Sequence, residues 1–167
     1  MRLIVLVGMI ASGKSTLAKK LASEGAVIVN DDAIVTAVHG GDYTLYERRL
    51  KPLYKSIENH ITTTGIALGR CVVVDRGVNV SRSARARWVA LARSLDIPSI
   101  AVCFPNEGAH VHAERRHTHD ARGCSFESWL EVAKRHEADF SIPTLDEGFN
   151  RVVLVDHSEL FSTKGGK

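Results

Sequence analysis

The chain has too little cysteine, and in the wrong number, for a disulfide framework. Cys71, Cys103 and Cys124 are its only three, without paired spacing, and that usage suits a reducing compartment. A domain of 167 residues buries about two thirds of the surface its unfolded chain exposes, so no covalent staple is needed. Long hydrophobic runs are missing too. None approaches the ~18 residues of a membrane span, so no membrane partner is expected. The first apolar stretch begins at Leu3, which leaves no room for a leader ahead of it, and a cytoplasmic location is expected. Repeats, linkers and low-complexity segments are also absent. The expected organisation is one domain over residues 1–161 with a frayed tail at 162–167. Charge is not strongly one-sided: the net value is +3 and the pI near 8.9. Such a balance mildly favours anionic partners without choosing nucleic acid over nucleotide.

What is present is concentrated at the start. Leu3 to Val7 form a branched apolar run that predicts a buried strand, and it stops at Gly8 to Ser15, G-M-I-A-S-G-K-S. This is the phosphate-binding loop pattern G-x-x-x-x-G-K-[ST], followed as its mechanism requires by an amphipathic helical stretch, Thr16 to Glu24. The glycines let the backbone turn tightly around a phosphate, Lys14 brings a point charge to the outer phosphates, and Ser15 offers a hydroxyl to Mg²⁺. Nucleotide contacts are expected from Gly8, Ala11, Ser12, Gly13, Lys14, Ser15 and Thr16, and the cofactors implied are ATP and Mg²⁺.

A second strand, Ala26 to Val29, ends at Asn30, Asp31 and Asp32. In an open α/β sheet ligands bind beyond the carboxyl ends of the strands, so these acids are expected near the loop, one of them catalytic. Asp32 also fits the N-cap of a short helix, Ile34 to Val38. Apolar residues from Leu45 to Ile66 recur at helical spacing as far as Gly69, with Arg48, Arg49, Lys51 and Lys55 on the polar side; Pro52 either kinks this helix or starts a new one. Cys71 to Val74 is a third strand, and Asp75 at its end matches the acid that helps hold Mg²⁺ in phosphate-loop enzymes.

Arg76, Arg82, Arg85, Arg87 and Arg93 then crowd one loop and helix, with Ser81 as its N-cap. They read equally as a patch for a phosphate backbone and as a solvated face. A fourth strand, Ile97 to Phe104, leads into a helix over Glu107 to His119 that carries His110, His112, His117 and His119 with Arg115 and Arg116. Their spacing matches no structural zinc pattern, and Arg115, Arg116 and Arg122 read instead as a lid over the nucleotide phosphates. Phe126 to Phe140 is another amphipathic helix, and Arg151 to Val155 a fifth strand.

Four blocks together, G-M-I-A-S-G-K-S, V-N-D-D, V-V-V-D-R-G-V-N-V-S-R-S-A-R and A-E-R-R-H-T-H-D-A-R-G, resemble the kinase domain of the phage and bacterial polynucleotide 5′-kinases over about residues 1 to 155. The resemblance implies an α/β fold: a P-loop kinase-like, mostly parallel five-stranded sheet flanked by helices on both faces, with an arginine-rich lid. It implies Asp31 as general base and Arg115 and Arg122 as lid arginines. Where that family has an arginine three residues after the catalytic acid, this chain has Ile34. An acceptor phosphate would then have to be gripped by Arg48, Arg49 or the arginines from Arg76 to Arg87. The expected activity is transfer of the γ-phosphate of ATP to a hydroxyl of nucleic acid, a 5′ end or a modified base, with Asp32, Arg48, Arg49, Arg76, Arg82 and Arg85 binding the acceptor. A small-molecule kinase is the first alternative, and a non-catalytic nucleotide switch the second.

Overall fold

Five parallel strands form a single sheet in a computed structural model of the chain, which describes residues 1–120 and 123–156. The tail expected at 162–167 and the lid residue Arg122 lie outside the described residues. The strands are β1 (Leu3–Val7), β2 (Val27–Asn30), β3 (Val72–Asp75), β4 (Ser99–Cys103) and β5 (Arg151–Leu154), in spatial order β2-β3-β1-β4-β5. β1 is central. Its Leu3 lies opposite Val72 of β3 on one side and Ser99 of β4 on the other.

The near-continuous apolar strands follow from cover on both faces. With a side-chain period of two, Leu3, Val5 and Val7 join Val29, Val72, Val74, Ala101 and Cys103 in one layer, packed against Tyr54 and Ile66 of α3 (Lys51–Ala67) and Trp88 and Ala92 of α4 (Arg82–Ser94). Leu6 and Val73 face the opposite way, with Ile4, Ile28 and Val102, against Ala18, Leu17 and Leu21 of α1 (Lys14–Ser23). A third, smaller cluster joins α5 (Ala109–Thr118) and α6 (Phe126–Asp139) into a helical hairpin that packs on Met9 and Ile10 of the loop after β1. Among the described residues no helix is long and apolar enough to cross a membrane.

Two local expectations are corrected. The cap of α2 (Asp31–Val38) is Asn30, whose extended backbone lets its Oδ1 accept from the Ala33 N–H at 2.8 Å. Asp32 is therefore not the cap, and it shares the first turn of α2 with Asp31. The helix expected from Leu45 is broken. Short 3₁₀ turns at Tyr43–Leu45 and Arg48–Leu50 precede α3, which starts at Lys51 with Pro52 in its first turn, where a missing N–H costs no helical bond. The Ser81 cap on α4 is present, its Oγ accepting from the Ala84 N–H at 3.3 Å.

Candidate functional site

The carboxyl ends of β1, β2 and β3 lie side by side, so the loop Gly8–Ser15 stands beside Asn30, Asp31 and Asp75. The loop's chain path requires its glycines. A Cβ on Gly8 would stand 2.6 Å from the Ser12 Oγ and 3.0 Å from the Phe104 Cβ, and Gly13 has φ +96°. Lys14 is buried, and its Nζ donates to the carbonyls of Met9 at 2.6 Å and Gly8 at 3.0 Å. Burial draws its pKa down to about 8, against the opposing pull of Asp75 and Asp31. Ser15 and Thr16 are exposed at the start of α1.

Asp75, at the end of β3, is 4% exposed. Asn30 orients it: Nδ2 donates to the Asp75 carbonyl at 2.9 Å and to its Oδ2 at 3.3 Å. One cavity of about 370 Å³ brings together Lys14, Ser15, Asp31, Asp75, Arg116 and His136. A backbone cradle with no room for a side chain at Gly8, a buried lysine, an exposed hydroxyl and a fixed carboxylate are the donor set that a nucleoside triphosphate and a hard divalent cation need.

Asp31 looks into a second cavity of about 520 Å³ between α2, α3 and the start of α4. Its Oδ2 lies 3.1 Å from Arg76 Nε, which is also 3.2 Å from Oε1 of Glu58. The other Glu58 oxygen accepts from Arg87 Nη1 at 2.6 Å, and Arg87 also donates to Asn59 Oδ1 at 2.8 Å and lies over the Trp88 ring. Glu58 is thus buried between two guanidinium groups, and Asp31 hangs on the end of a fixed chain of charges. Burial pushes the Asp31 carboxyl above the ordinary aspartate range; Arg76 pulls it back, while the Asp32 charge adds to the rise. Such a carboxylate is a stronger base than an exposed one.

The structure does not gather all the arginines expected at the acceptor. Arg76 is there, but Arg85 is a correction: its side chain is fully buried and bound to Glu147, with Nη2 2.6 Å from Oε1 and Nε 2.8 Å from Oε2. Arg82 is another, since it points to Asp146 at 2.9 Å and lines neither cavity. Arg48 and Arg49 are exposed, Arg49 paired with Glu47, and neither lines the cavity at Asp31. Position 34 cannot grip an acceptor either, because Ile34 is buried and turned to the opposite side of α2.

In the lid hairpin Arg115 is tied to Glu107, Nη2 donating to Oε1 at 2.9 Å, while its neighbour Arg116 reaches the phosphate-loop cavity with its guanidinium over the Trp129 ring. Three participants escaped the sequence reading, Asn30, Glu58 and His136, and of the expected lid arginines it is Arg116 rather than Arg115 that turns inward. Glu58 had a signal, being an acid inside the i, i+4 stripe Tyr54, Glu58, Thr62, Ile66. His136 had one too, on the inner face of α6 with Trp129 and Ala133. Among the described residues its buried Nδ1 has no hydrogen-bond partner, and burial, then the Lys14 charge, pushes its pKa down.

Residues 3–143 match the AAA domain family. No curated protein matches the chain significantly. Among solved structures, a protein of Chloroflexus aurantiacus assigned to the kinases, with no substrate named, is 22% identical, with 93% of this chain and 84% of that one covered at a TM-score of 0.68. Kti12 of Chaetomium thermophilum in complex with ADP-AlF3 is 16% identical, covering 94% and 92% at a TM-score of 0.58. Shikimate kinase of Bacteroides thetaiotaomicron is 15% identical, covering 90% and 84% at a TM-score of 0.53. At these identities the likeness is one of fold. With its parallel sheet flanked by helices and a phosphate loop after the first strand, the chain belongs to the AAA domain family and has the α/β fold of P-loop kinases.

Proposed function

We propose that the chain is an ATP-dependent phosphotransferase whose acceptor is a hydroxyl of a small molecule held in the cavity at Asp31. The observation that carries this reading is the charge chain Asp31–Arg76–Glu58–Arg87. It places a raised-pKa carboxylate inside a cavity sized for a metabolite, and it draws Arg76 and Arg87, which a phosphate backbone would otherwise claim, into ion pairs within the chain. Arg82, Arg85 and Arg49 are likewise paired within the chain. The kinship in fold with shikimate kinase supports a small acceptor. It also weakens the closer analogy to polynucleotide 5′-kinases, which becomes the second reading.

Lys14 would bind the outer phosphates of ATP, Ser15 and Asp75 would hold Mg²⁺, and the cation would offset charge on the β- and γ-phosphates. Asp31 accepts a hydrogen bond from the acceptor hydroxyl and takes its proton as the oxygen attacks. The new bond joins that oxygen to the γ-phosphorus, the bond to the bridging β,γ oxygen breaks, ADP leaves, and Asp31 releases the proton to solvent. Arg116 meets the charge on the transferring group. A third and wider groove, of about 820 Å³, lies on the other side of α2, but Ile28, Ile34, Ile57 and Ile61 line it. Its carboxylate, Asp75, is already held by Asn30, so we place the acceptor on the Asp31 side.

The test is incubation with γ-labelled ATP and Mg²⁺ against small alcohols, sugars and hydroxy acids, with DNA and RNA ends alongside. Label in a small molecule supports the reading. Label confined to nucleic acid would return the polynucleotide reading to first place, and acceptor-independent hydrolysis alone would favour a switch.

A further inference from the structure

Resting on that phosphotransferase reading, we infer that the acceptor is a ring-bearing alcohol carrying an oxyanion, a carboxylate or phosphate, held by Lys51 and Lys55. The cavity at Asp31 contains cations of two kinds. Arg87 is bound to Glu58 and Asn59, and Arg76 lies with its Nε against Asp31 and Glu58. Lys51 and Lys55 also line it, one helical turn apart on α3, and among the described residues neither ammonium has a hydrogen bond or ion pair. No acid lies in the first turn of that helix to balance them. Two unpaired like charges a turn apart repel, and an anion between them turns that repulsion into two charge-assisted hydrogen bonds.

The remaining wall is aromatic. Tyr43, Tyr46 and Tyr54 line the cavity, with ring centroids 6.4 Å apart for the first pair and 5.8 Å for the second, at interplanar angles of 16° and 29°. Tyr54 is buried, its hydroxyl 2.7 Å from Nε2 of His39, and it backs Tyr46, whose exposed ring presents the face at low entropic cost. A flat face of this kind stacks on a ring. Phosphoryl transfer needs the hydroxyl at Asp31, stacking needs the ring at the tyrosines, and the lysines need a group bearing negative charge; one molecule with all three features fills the cavity.

The experiment compares matched acceptors: a nucleoside 5′-phosphate with its nucleoside, a hydroxycyclohexane carboxylate with its methyl ester, and glycerate with glycerol. The expected result is that kcat/KM of a charged ring compound exceeds that of its neutral twin at least tenfold, and exceeds that of glycerate. In Lys51→Gln/Lys55→Gln the advantage of charge should fall to about one through KM, with kcat for the neutral twin retained. The phosphate and carboxylate arms tell which oxyanion is meant. Equal use of charged and neutral twins, or a preference that survives the double substitution, would overturn the inference while leaving the kinase intact. ADP release that responds to no hydroxyl compound would overturn the kinase reading, and this inference with it.

Discussion

Arg85 and Glu147 form a two-pronged ion pair with both side chains out of solvent, the arginine at 0% and the glutamate at 4% exposure. The rest of the guanidinium is also satisfied. Nη1 donates to the carbonyls of Val80 at 2.9 Å and Ser141 at 3.0 Å, and Nη2 to the Ser141 Oγ at 3.1 Å. One side chain therefore clips the segment after β3 to the segment after α6 and to the 3₁₀ turn Leu145–Glu147.

Removing one partner of such a pair leaves the other charge buried and uncompensated, which costs about 3–5 kcal/mol. Arg85→Met is expected to lower the melting temperature by roughly 10 °C, at about 2–4 °C per kcal/mol for a domain of this size. Arg85→Met/Glu147→Leu should recover much of that loss, because an apolar pair replaces an ion pair at little net cost. A single variant as stable as the parent would contradict a structural role and return Arg85 to the list of ligand-binding residues.

Lys14 gives a prediction in protons. Burial lowers its pKa to about 8 from 10.5, so in the ligand-free protein its stability contribution is present above the unfolded value and lost as pH falls through the folded one. Below about pH 8 the charged lysine detracts from stability, and an anion in the loop relieves the penalty by raising the pKa. Nucleotide binding at pH 8.5 should therefore take up a fraction of a proton, read by calorimetry in buffers of different ionisation enthalpy. Lys14→Met should bind with no such uptake and lose phosphoryl transfer. Equal proton uptake in both proteins would assign the effect to another group.

The phosphate loop, the five strands and most helices were legible because their signals are local. G-K-S after an apolar strand, Ser81 before α4 and the inner stripe of α6 each sit within one element. The acceptor side was not, because it depends on which charges meet across elements. Arg85 and Arg76 look alike in sequence, yet one meets Glu147 and the other Asp31 and Glu58, each from a distant part of the chain. The cap of α2 was misread for a smaller reason: Asn30 and Asp32 both suit an N-cap, but the helix starts at Asp31, ahead of its apolar pattern, which puts Asp32 inside the first turn and leaves Asn30 at the cap.

The lid offers a contrast between adjacent arginines. Arg116 lies 4.6 Å from the Trp129 ring and lines the phosphate cavity, whereas Arg115 is engaged by Glu107. An arginine that meets charge only as it develops lowers kcat and kcat/KM together when removed. Arg116→Ala is expected to do so by at least 10²-fold, within the range seen for lost electrostatic stabilisation. Arg115→Ala should act mainly on stability or nucleotide KM. The reverse ranking would mean that Arg115 leaves Glu107 when nucleotide binds, as the resemblance to polynucleotide kinases implies.

Asp31 carries the last prediction, because one environment sets both its chemistry and its effect on stability. Its carboxyl is raised chiefly by burial, with Arg76 opposing. A raised carboxyl contributes stability below the unfolded pKa, and that contribution is lost as pH rises through the folded one; at neutral pH the ionised Asp31 works against the fold. The ionised form is also what takes the acceptor proton, so kcat should fall on the acid side along a limb above the ordinary aspartate value of 3.8. Asp31→Asn should lose transfer by on the order of 10²-fold or more, abolish that limb, and keep or raise the melting temperature at pH 7, since Arg76 retains Glu58. Asp32→Asn should leave the limb in place, its loss of charge shifting it toward lower pH because the Asp32 charge helps raise Asp31. An Asp31→Asn protein that still transfers phosphate with the parental pH profile would move the general base elsewhere, with Asp32 the nearest carboxylate on the same turn.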